Sequence, residues 1–367
     1  MPQESPTAKT WIALLGRRDE VADGVEDYCN FLGEALARRG VELRQVRVQL
    51  MERGWLAAFM QLRRDSAIWR GKWLLLQYTA LGWSRHGIPF GVLAVLAILR
   101  CRGALCAVVF HEPFGFSGPR LIDRVRGICQ DWVVRVLCRL AHKSIFTVPL
   151  ETLAWLPEDR TKGAFIPIGA NIPQVSADRP VEPKGMQRTI SVFCLSEMPN
   201  RQREVQDIAH CVRSIATNGT RLRVVFLGRG TGEARLEIET AFEKAPVEVV
   251  NLGLQSAADV SRSLADSDAM LCVRGELFAR RGSAIAGVAC GLPIVGYGDA
   301  SQIFPLGEAG VYLVPNGDRE ALGAALGEVL HNPQLRDELR EKSRRAQMRY
   351  FSWDVIAEKF CSALQDS

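Results

Sequence analysis

The stretch Gly275-Glu-Leu-Phe-Ala-Arg-Arg-Gly-Ser-Ala-Ile-Ala-Gly-Val-Ala-Cys-Gly-Leu-Pro-Ile-Val295 carries the reading of the fold. Ala284 to Ala289 can form a helix with almost no side-chain bulk, which permits close approach to a neighbouring strand. Gly291 stops that helix, and Leu292-Pro-Ile-Val295 reads as a short buried strand. Arg280 and Arg281 stand where the helix begins. A helix N-terminus has unpaired N–H groups and a partial positive charge, so cations there are disfavoured unless an anion joins them. The pattern therefore points to a bound anion.

Working outward, short β-rich runs alternate with amphipathic helical stretches along the whole chain. Strand candidates in the first half are Trp11–Leu15, Val41–Val48, Trp73–Tyr78, Ala104–Phe110, Ser144–Val148 and Ala164–Ile168. Those in the second are Thr189–Cys194, Leu222–Leu227, Val247–Asn251, Ala269–Val273, Pro293–Val295 and Val311–Val314. Such alternation implies parallel sheets with helices on both faces. A polar, proline-rich run at 174–187 reads as a linker between two α/β domains, and 367 residues suffice for both. Two such domains place a cleft at the carboxyl ends of their strands.

Composition excludes several classes. Ten cysteines without CxxC spacing or histidines at ligand distance read as reduced core residues, not a disulfide framework or a zinc site. The opening Met-Pro-Gln-Glu-Ser-Pro does not read as a charged-then-apolar signal peptide, and the longest apolar run, Ile88 to Leu99, is too short to span a bilayer. The charge is uneven: through Arg179 there are 24 Lys and Arg against 17 Asp and Glu, and thereafter 22 against 24. The first half is the one expected to face something anionic. Within it, Met51 to Trp73 interleaves tryptophans and Phe59 with arginines, and Arg120 to Lys143 is a second basic amphipathic stretch. Both suit an anionic bilayer surface, or equally a core contact with a solvated basic face.

The loops after strands are the places to seek chemistry. In Gly16-Arg-Arg-Asp-Glu-Val-Ala-Asp-Gly-Val-Glu-Asp27, Gly24 allows close backbone approach. Asp23 and Asp27 read as ligands for hydroxyls, or as capping residues of the next helix. His111-Glu112 directly follows a strand, where polar cleft chemistry is expected. Arg201 and Arg203 stand at a helix start. Gly228-Arg-Gly-Thr-Gly232 is a glycine-rich strand-to-helix turn without the Gly-Lys-Ser/Thr ending of a P-loop. Asp266-Ser-Asp268 reads as capping and turn residues, not a metal site.

Together these loops resemble GT-B glycosyltransferases of the family 4, or glycosyl transferases group 1, type. The carriers are Asp23-Gly24, His111-Glu112, Ile166-Pro-Ile-Gly-Ala-Asn-Ile-Pro173, Phe226-Leu-Gly-Arg-Gly230, Ala289-Cys-Gly-Leu-Pro-Ile-Val295 and Phe351-Ser-Trp-Asp354. The resemblance implies two Rossmann-like domains facing across a cleft. The first, 1–173, would bind the acceptor and the second, 188–349, the nucleotide sugar. A final helix, 350–367, would cross back to the first domain. It implies sugar transfer with retention and without a metal or other cofactor, from a nucleotide-sugar donor to a glycan, lipid-linked or other small acceptor. Nucleic acid is not an expected partner, and the expected place is the cytoplasm or the inner face of the membrane.

In roles, the resemblance makes His111 the catalytic histidine beside the reacting sugar. Arg201, Arg203, Gly228, Arg281, Gly282 and Ser283 would bind the donor, and Asp23, Gly24, Asp27 and Glu112 the acceptor. The chain departs from the family at one point. The family's paired glutamates, eight residues apart, are replaced by Phe278 and Ala286. That departure keeps a catalytically weak sugar-nucleotide-binding protein in view, with a nucleotide-sugar epimerase as a third reading.

Overall fold

The computed structural model describes residues 9–18, 23–50, 52–157, 159–174, 187–216 and 221–365. Most of the expected linker, 175–186, and the middle of the first loop, 19–22, lie outside the described residues. The chain divides into two compact units, residues 1–168 with 353–367, and residues 169–352.

The first unit is a six-stranded parallel sheet. Its strands are β1 (Lys9–Leu15), β2 (Val41–Arg47), β3 (Trp73–Tyr78), β4 (Leu105–Phe110), β5 (Lys143–Phe146) and β6 (Gly163–Phe165). They lie in the order β2-β1-β3-β4-β5-β6. Side chains alternate across a strand, so each strand feeds two cores. Ile12, Leu14, Leu74, Leu76, Val108 and Phe110 pack under the helices Trp55–Asp65, Gly91–Cys101 and Leu121–Leu140. Trp11, Ala13, Leu75, Ala107 and Val109 face the helices Gly24–Ala37 and Trp353–Gln365 instead. The last helix is held by aromatic and ionic contacts. Trp353 meets Tyr28 edge-on at 5.1 Å and stacks on Phe31 at 5.8 Å, while Asp354 pairs with Arg38 at 2.7 Å.

The second unit is also a six-stranded parallel sheet, of β7 (Gln187–Phe193), β8 (Arg221–Leu227), β9 (Val247–Gly253), β10 (Ala269–Glu276), β11 (Ile294–Tyr297) and β12 (Val311–Val314). Their order, β12-β11-β10-β7-β8-β9, reverses direction between β7 and β10. The small-residue helix runs from Gly282 to Ala289 and lies as close to the sheet as its composition allows. A Cβ on Gly287 would come within 2.7 Å of Met270 Sδ. The segment Gly169–Pro173 stays with this unit, where Pro173 O accepts a hydrogen bond from Ser261 Oγ at 2.6 Å. The division thus falls at 168/169, short of the linker.

Candidate active site

In a doubly wound sheet the ligand crevice opens beyond the carboxyl ends of the two strands between which the order reverses. In the second unit those strands are β7 and β10. A small pocket lies there, lined by Phe193, Cys194, Cys272, Arg274, Arg281 and Ser283. Cys194 sits at φ +69°, an uncommon conformation for a residue with a side chain, and such strain collects at functional sites.

Glycines shape the walls. Gly228 and Gly230 have φ of +90° and +81°. A Cβ at Gly228 would approach the Phe193 ring to 2.7 Å, and one at Gly230 would approach Leu195 O to 2.4 Å. The turn after β8 is therefore pressed against the turn after β7, and Leu195 N donates to Arg229 O at 2.9 Å across that contact. Only glycine fits.

The helix Gly282–Ala289 begins without a capping side chain and without an acid in its first turn. Its first N–H groups are therefore available to an anionic ligand. Arg281 does more than neutralise charge. Its Nη2 donates to Arg274 O at 2.9 Å and Glu276 O at 3.2 Å, and its guanidinium lies 4.2 Å above the Phe278 ring. Phe278 thus serves as the platform on which Arg281 rests. Arg274 reaches Ser196 Oγ at 3.5 Å, and Ser196 N donates to the buried Glu204 carboxylate at 2.8 Å.

Burial, and then the like charge of Arg274, push the Arg281 pKa down. Arginine does not release its proton near neutrality. The disfavoured charge therefore remains, and an arriving anion would relieve it. Nearby thiols are inert as nucleophiles. Burial raises the Cys194 thiol and pushes that of Cys272 up to about 12.

Arg201 and Arg203, expected at this site from sequence, are engaged by carboxylates. Arg201 pairs with Glu237 at 2.7 Å, and Arg203 Nε lies 3.8 Å from Asp207 one turn along its own helix. Arg274, together with Ser196 and Glu204, is what sequence reasoning missed. The strand expected over Ala269–Val273 runs on to Glu276 and carries Arg274 into the site.

In the first unit the order reverses between β1 and β3. The loops beyond β1 and β3 interlock there. Arg17 N donates to Gly82 O at 2.7 Å, and a Cβ on Gly16 would lie 2.1 Å from that oxygen. His111 follows β4 directly. Its Nε2 lies 2.8 Å from Oε1 of the buried Gln77, its backbone N–H donates to Tyr78 O, and its ring meets Tyr28 edge-on at 4.9 Å. The Gln77 amide nitrogen donates to Leu75 O at 3.3 Å, and its oxygen faces His111 Nε2.

Glu112 accepts the Ala80 N–H at 3.2 Å and so braces the turn after β3. Of the two readings for Asp23, the structure shows the cap. Its Oδ1 accepts from Val25 N and Glu26 N at 3.1 Å, and its Oδ2 pairs with Arg47 at 3.2 Å. Gly24 is the first residue of that helix, and Asp27 N closes its first turn on Asp23 O.

Comparison with known proteins bears on this geometry. Residues 189–332 match the family described as Glycosyl transferases group 1. No curated protein matches the chain. Among solved structures, HepE from Anabaena, in complex with UDP and glucose, is similar at a TM-score of 0.66 and 13% identity, over 98% of this chain and 100% of that one. Sucrose-phosphate synthase from Thermosynechococcus elongatus is similar at 0.66 and 18% identity, over 98% of each chain. A TarM mutant from S. aureus, in complex with fondaparinux, alpha-GlcNAc-glycerol and UDP, aligns at 0.55 and 14% identity. It covers 80% of this chain, which spans only 55% of that one. The chain thus has the two-unit fold of GT-B glycosyltransferases, and its residues 189–332 match the glycosyl transferases group 1 family.

Proposed function

We propose that this protein transfers a sugar from a nucleotide-sugar donor to a hydroxyl of a glycan, lipid-linked or other small acceptor, with retention of anomeric configuration and without a metal. One observation carries the reading. An uncapped helix start lies beside two guanidiniums, Arg274 and Arg281, at the reversal point of the second sheet. The donor's diphosphate would rest on the N–H groups of Gly282 and Ser283, with Arg281 and Arg274 as counter-ions and Gly228 leaving room for it. Arg201 and Arg203 would add positive field from further out.

Transfer breaks the bond between the sugar's anomeric carbon and the diphosphate oxygen while a bond to the acceptor oxygen forms. Charge therefore grows on the leaving diphosphate. Fixed N–H groups and cations stabilise it there, in the role a metal fills elsewhere. His111 would make polar contact with the reacting sugar, held in place by Gln77. Glu112 and Asp27 would meet acceptor hydroxyls, beside the loop that Asp23 and Gly24 shape. An acceptor presented at the inner membrane face agrees with the basic balance of the first half. No helix among the described residues is long and apolar enough to cross a membrane.

Incubation with a panel of labelled nucleotide sugars and acceptor extracts, in the presence of a chelator, tests the reading. Release of nucleoside diphosphate with a labelled product supports it. A second reading, sugar-nucleotide binding without turnover, is favoured by one observation. Phe278 and Ala286 stand where the resemblance would put paired glutamates, so neither position offers a carboxylate to the donor. Binding without release would decide for it.

A further inference from the structure

The helix Leu121–Leu140 is unusual on its outer face. Leu121, Val125, Ile128 and Trp132, spaced at i, i+4, i+7 and i+11, form one stripe and are 77, 44, 70 and 52% exposed. The charged residues exposed with them are Arg124, Arg135 and Arg139. Its two carboxylates are turned inward to structural work. Asp123 is buried and caps the helix start, and Asp131 accepts Gly115 N at 2.8 Å. The helix thus presents apolar and basic groups with no exposed acid.

The face continues beyond this helix. Trp132 meets Phe90 edge-on at 5.8 Å. Trp55, on the helix Trp55–Asp65, lies with its ring against the neighbouring Gly91, where a Cβ would be 3.0 Å away. Trp55, Phe90 and Trp132 are each about half exposed, so an aromatic seam joins the two helices. On the same helix as Trp55, Leu56 and Met60 are also exposed, as are Arg63 and Arg64 at its end. Buried Gln130 secures the adjoining loops, donating to Gly87 O at 2.8 Å and accepting from Phe116 N at 2.7 Å. Phe116 and Phe114, which follow His111 in the same loop, are also about half exposed.

We propose that this face docks the protein on an anionic lipid bilayer. Apolar groups would enter the headgroup boundary while the arginines pair with lipid phosphates. A water-facing surface gains nothing from a contiguous apolar seam, and the exposed charges on the two helices, Arg63, Arg64, Arg124, Arg135 and Arg139, are all positive. The charge complementarity commits the occupant to a negatively charged membrane. That a lipid-linked acceptor is supplied to the His111 loop from this membrane rests on the transferase reading; the docking itself does not.

Flotation of the full chain with vesicles tests it, using phosphatidylcholine alone or mixed with phosphatidylglycerol, at low and high salt. The wild type should float with the mixed vesicles, less so at high salt, and hardly at all with phosphatidylcholine. Ile128→Glu should abolish flotation. Combined Arg124→Gln, Arg135→Gln and Arg139→Gln changes should weaken it by roughly fivefold per arginine. Both variants alter exposed side chains, so their unfolding temperature and nucleoside diphosphate binding should match the wild type. Leu121→Gln is the substitute should Ile128→Glu fold poorly. No flotation of the wild type, equal flotation with both vesicle types, or Ile128→Glu floating normally would each overturn the proposal. A wild-type dimer that Ile128→Glu turns into a monomer, with no lipid binding, would assign the face to a second copy instead. Donor turnover measured in solution is independent of all these outcomes.

Discussion

Arg281→Ala removes a guanidinium that both shapes the candidate donor site and faces it. In the free protein its Nη2 holds two carbonyls, at 2.9 and 3.2 Å, and its face lies on Phe278. A bound diphosphate would gain one or two charge-assisted hydrogen bonds from the same group. Bonds to charged partners contribute about 1.5–3 kcal/mol, and each 1.4 kcal/mol is tenfold in affinity. The expected loss is therefore roughly tenfold to a hundredfold in nucleoside diphosphate affinity, and a similar loss in kcat/KM with every nucleotide sugar used. Calorimetric titration with nucleoside diphosphate, and separately with the bare nucleoside, checks this. The nucleoside should bind nearly as before, because it carries no phosphate. Arg281→Lys should lie between, since a lysine keeps the charge but cannot fork across two carbonyls or stack as a plane. Unchanged diphosphate affinity in Arg281→Ala would refute the clamp. An equal loss for the bare nucleoside would also refute it, because the arginine would then only be holding the loop together.

Gly230→Ala, at φ +81° and 2.4 Å from Leu195 O, should cost about 1–2 kcal/mol for the left-handed backbone alone and lower the unfolding temperature by several degrees. Gly232→Ala, with open space around it, should melt like the wild type; equal melting of both variants would remove the argument for the turn. His111→Ala should lower kcat by about a hundredfold or more, beyond what its stability loss of about 1–3 kcal/mol explains; near-normal turnover with a large stability loss would make His111 structural. Burial pushes the Cys106 and Cys211 thiols up to about 12. Their folded pKa lies above the unfolded value near 8.5, so their contribution is intact below about pH 8.5 and is lost as pH rises towards 12. At pH 10 the loss is about 2 kcal/mol per thiol. Under reducing conditions Cys211→Ala should therefore lose less stability than the wild type between pH 8 and pH 10, and an identical loss would contradict the assignment.

Much of the architecture was legible because buried parallel strands read as apolar runs. Trp73–Tyr78 and Val311–Val314 stand where expected, to the residue. The small residues of Ala284–Ala289 announced a helix pressed on a strand, and Gly287 against Met270 shows why nothing larger fits. Four things were not legible. Strand order is a long-range property, so the reversal between β7 and β10, which locates the pocket, could not be read from periodicity. Arg274 was hidden because a charged residue following Val273 reads as the end of a buried strand, whereas this strand continues out of the core as it enters the site. Asp23 offered two readings, and only the position of Arg47 on the neighbouring strand shows how its second oxygen is used. Phe278 likewise looked like a missing glutamate; in the structure it is the surface on which Arg281 lies.

The central claim is that the start of the Gly282 helix would hold a donor diphosphate for sugar transfer with retention and without a metal. The most direct measurement is proton NMR of a nucleotide-sugar reaction run in a chelator with an acceptor extract, following the anomeric coupling of donor and product. The account predicts that nucleoside diphosphate is released and that the new glycosidic linkage keeps the donor's anomeric configuration. An inverted linkage, a requirement for added divalent metal, or tight donor binding with no release would contradict it.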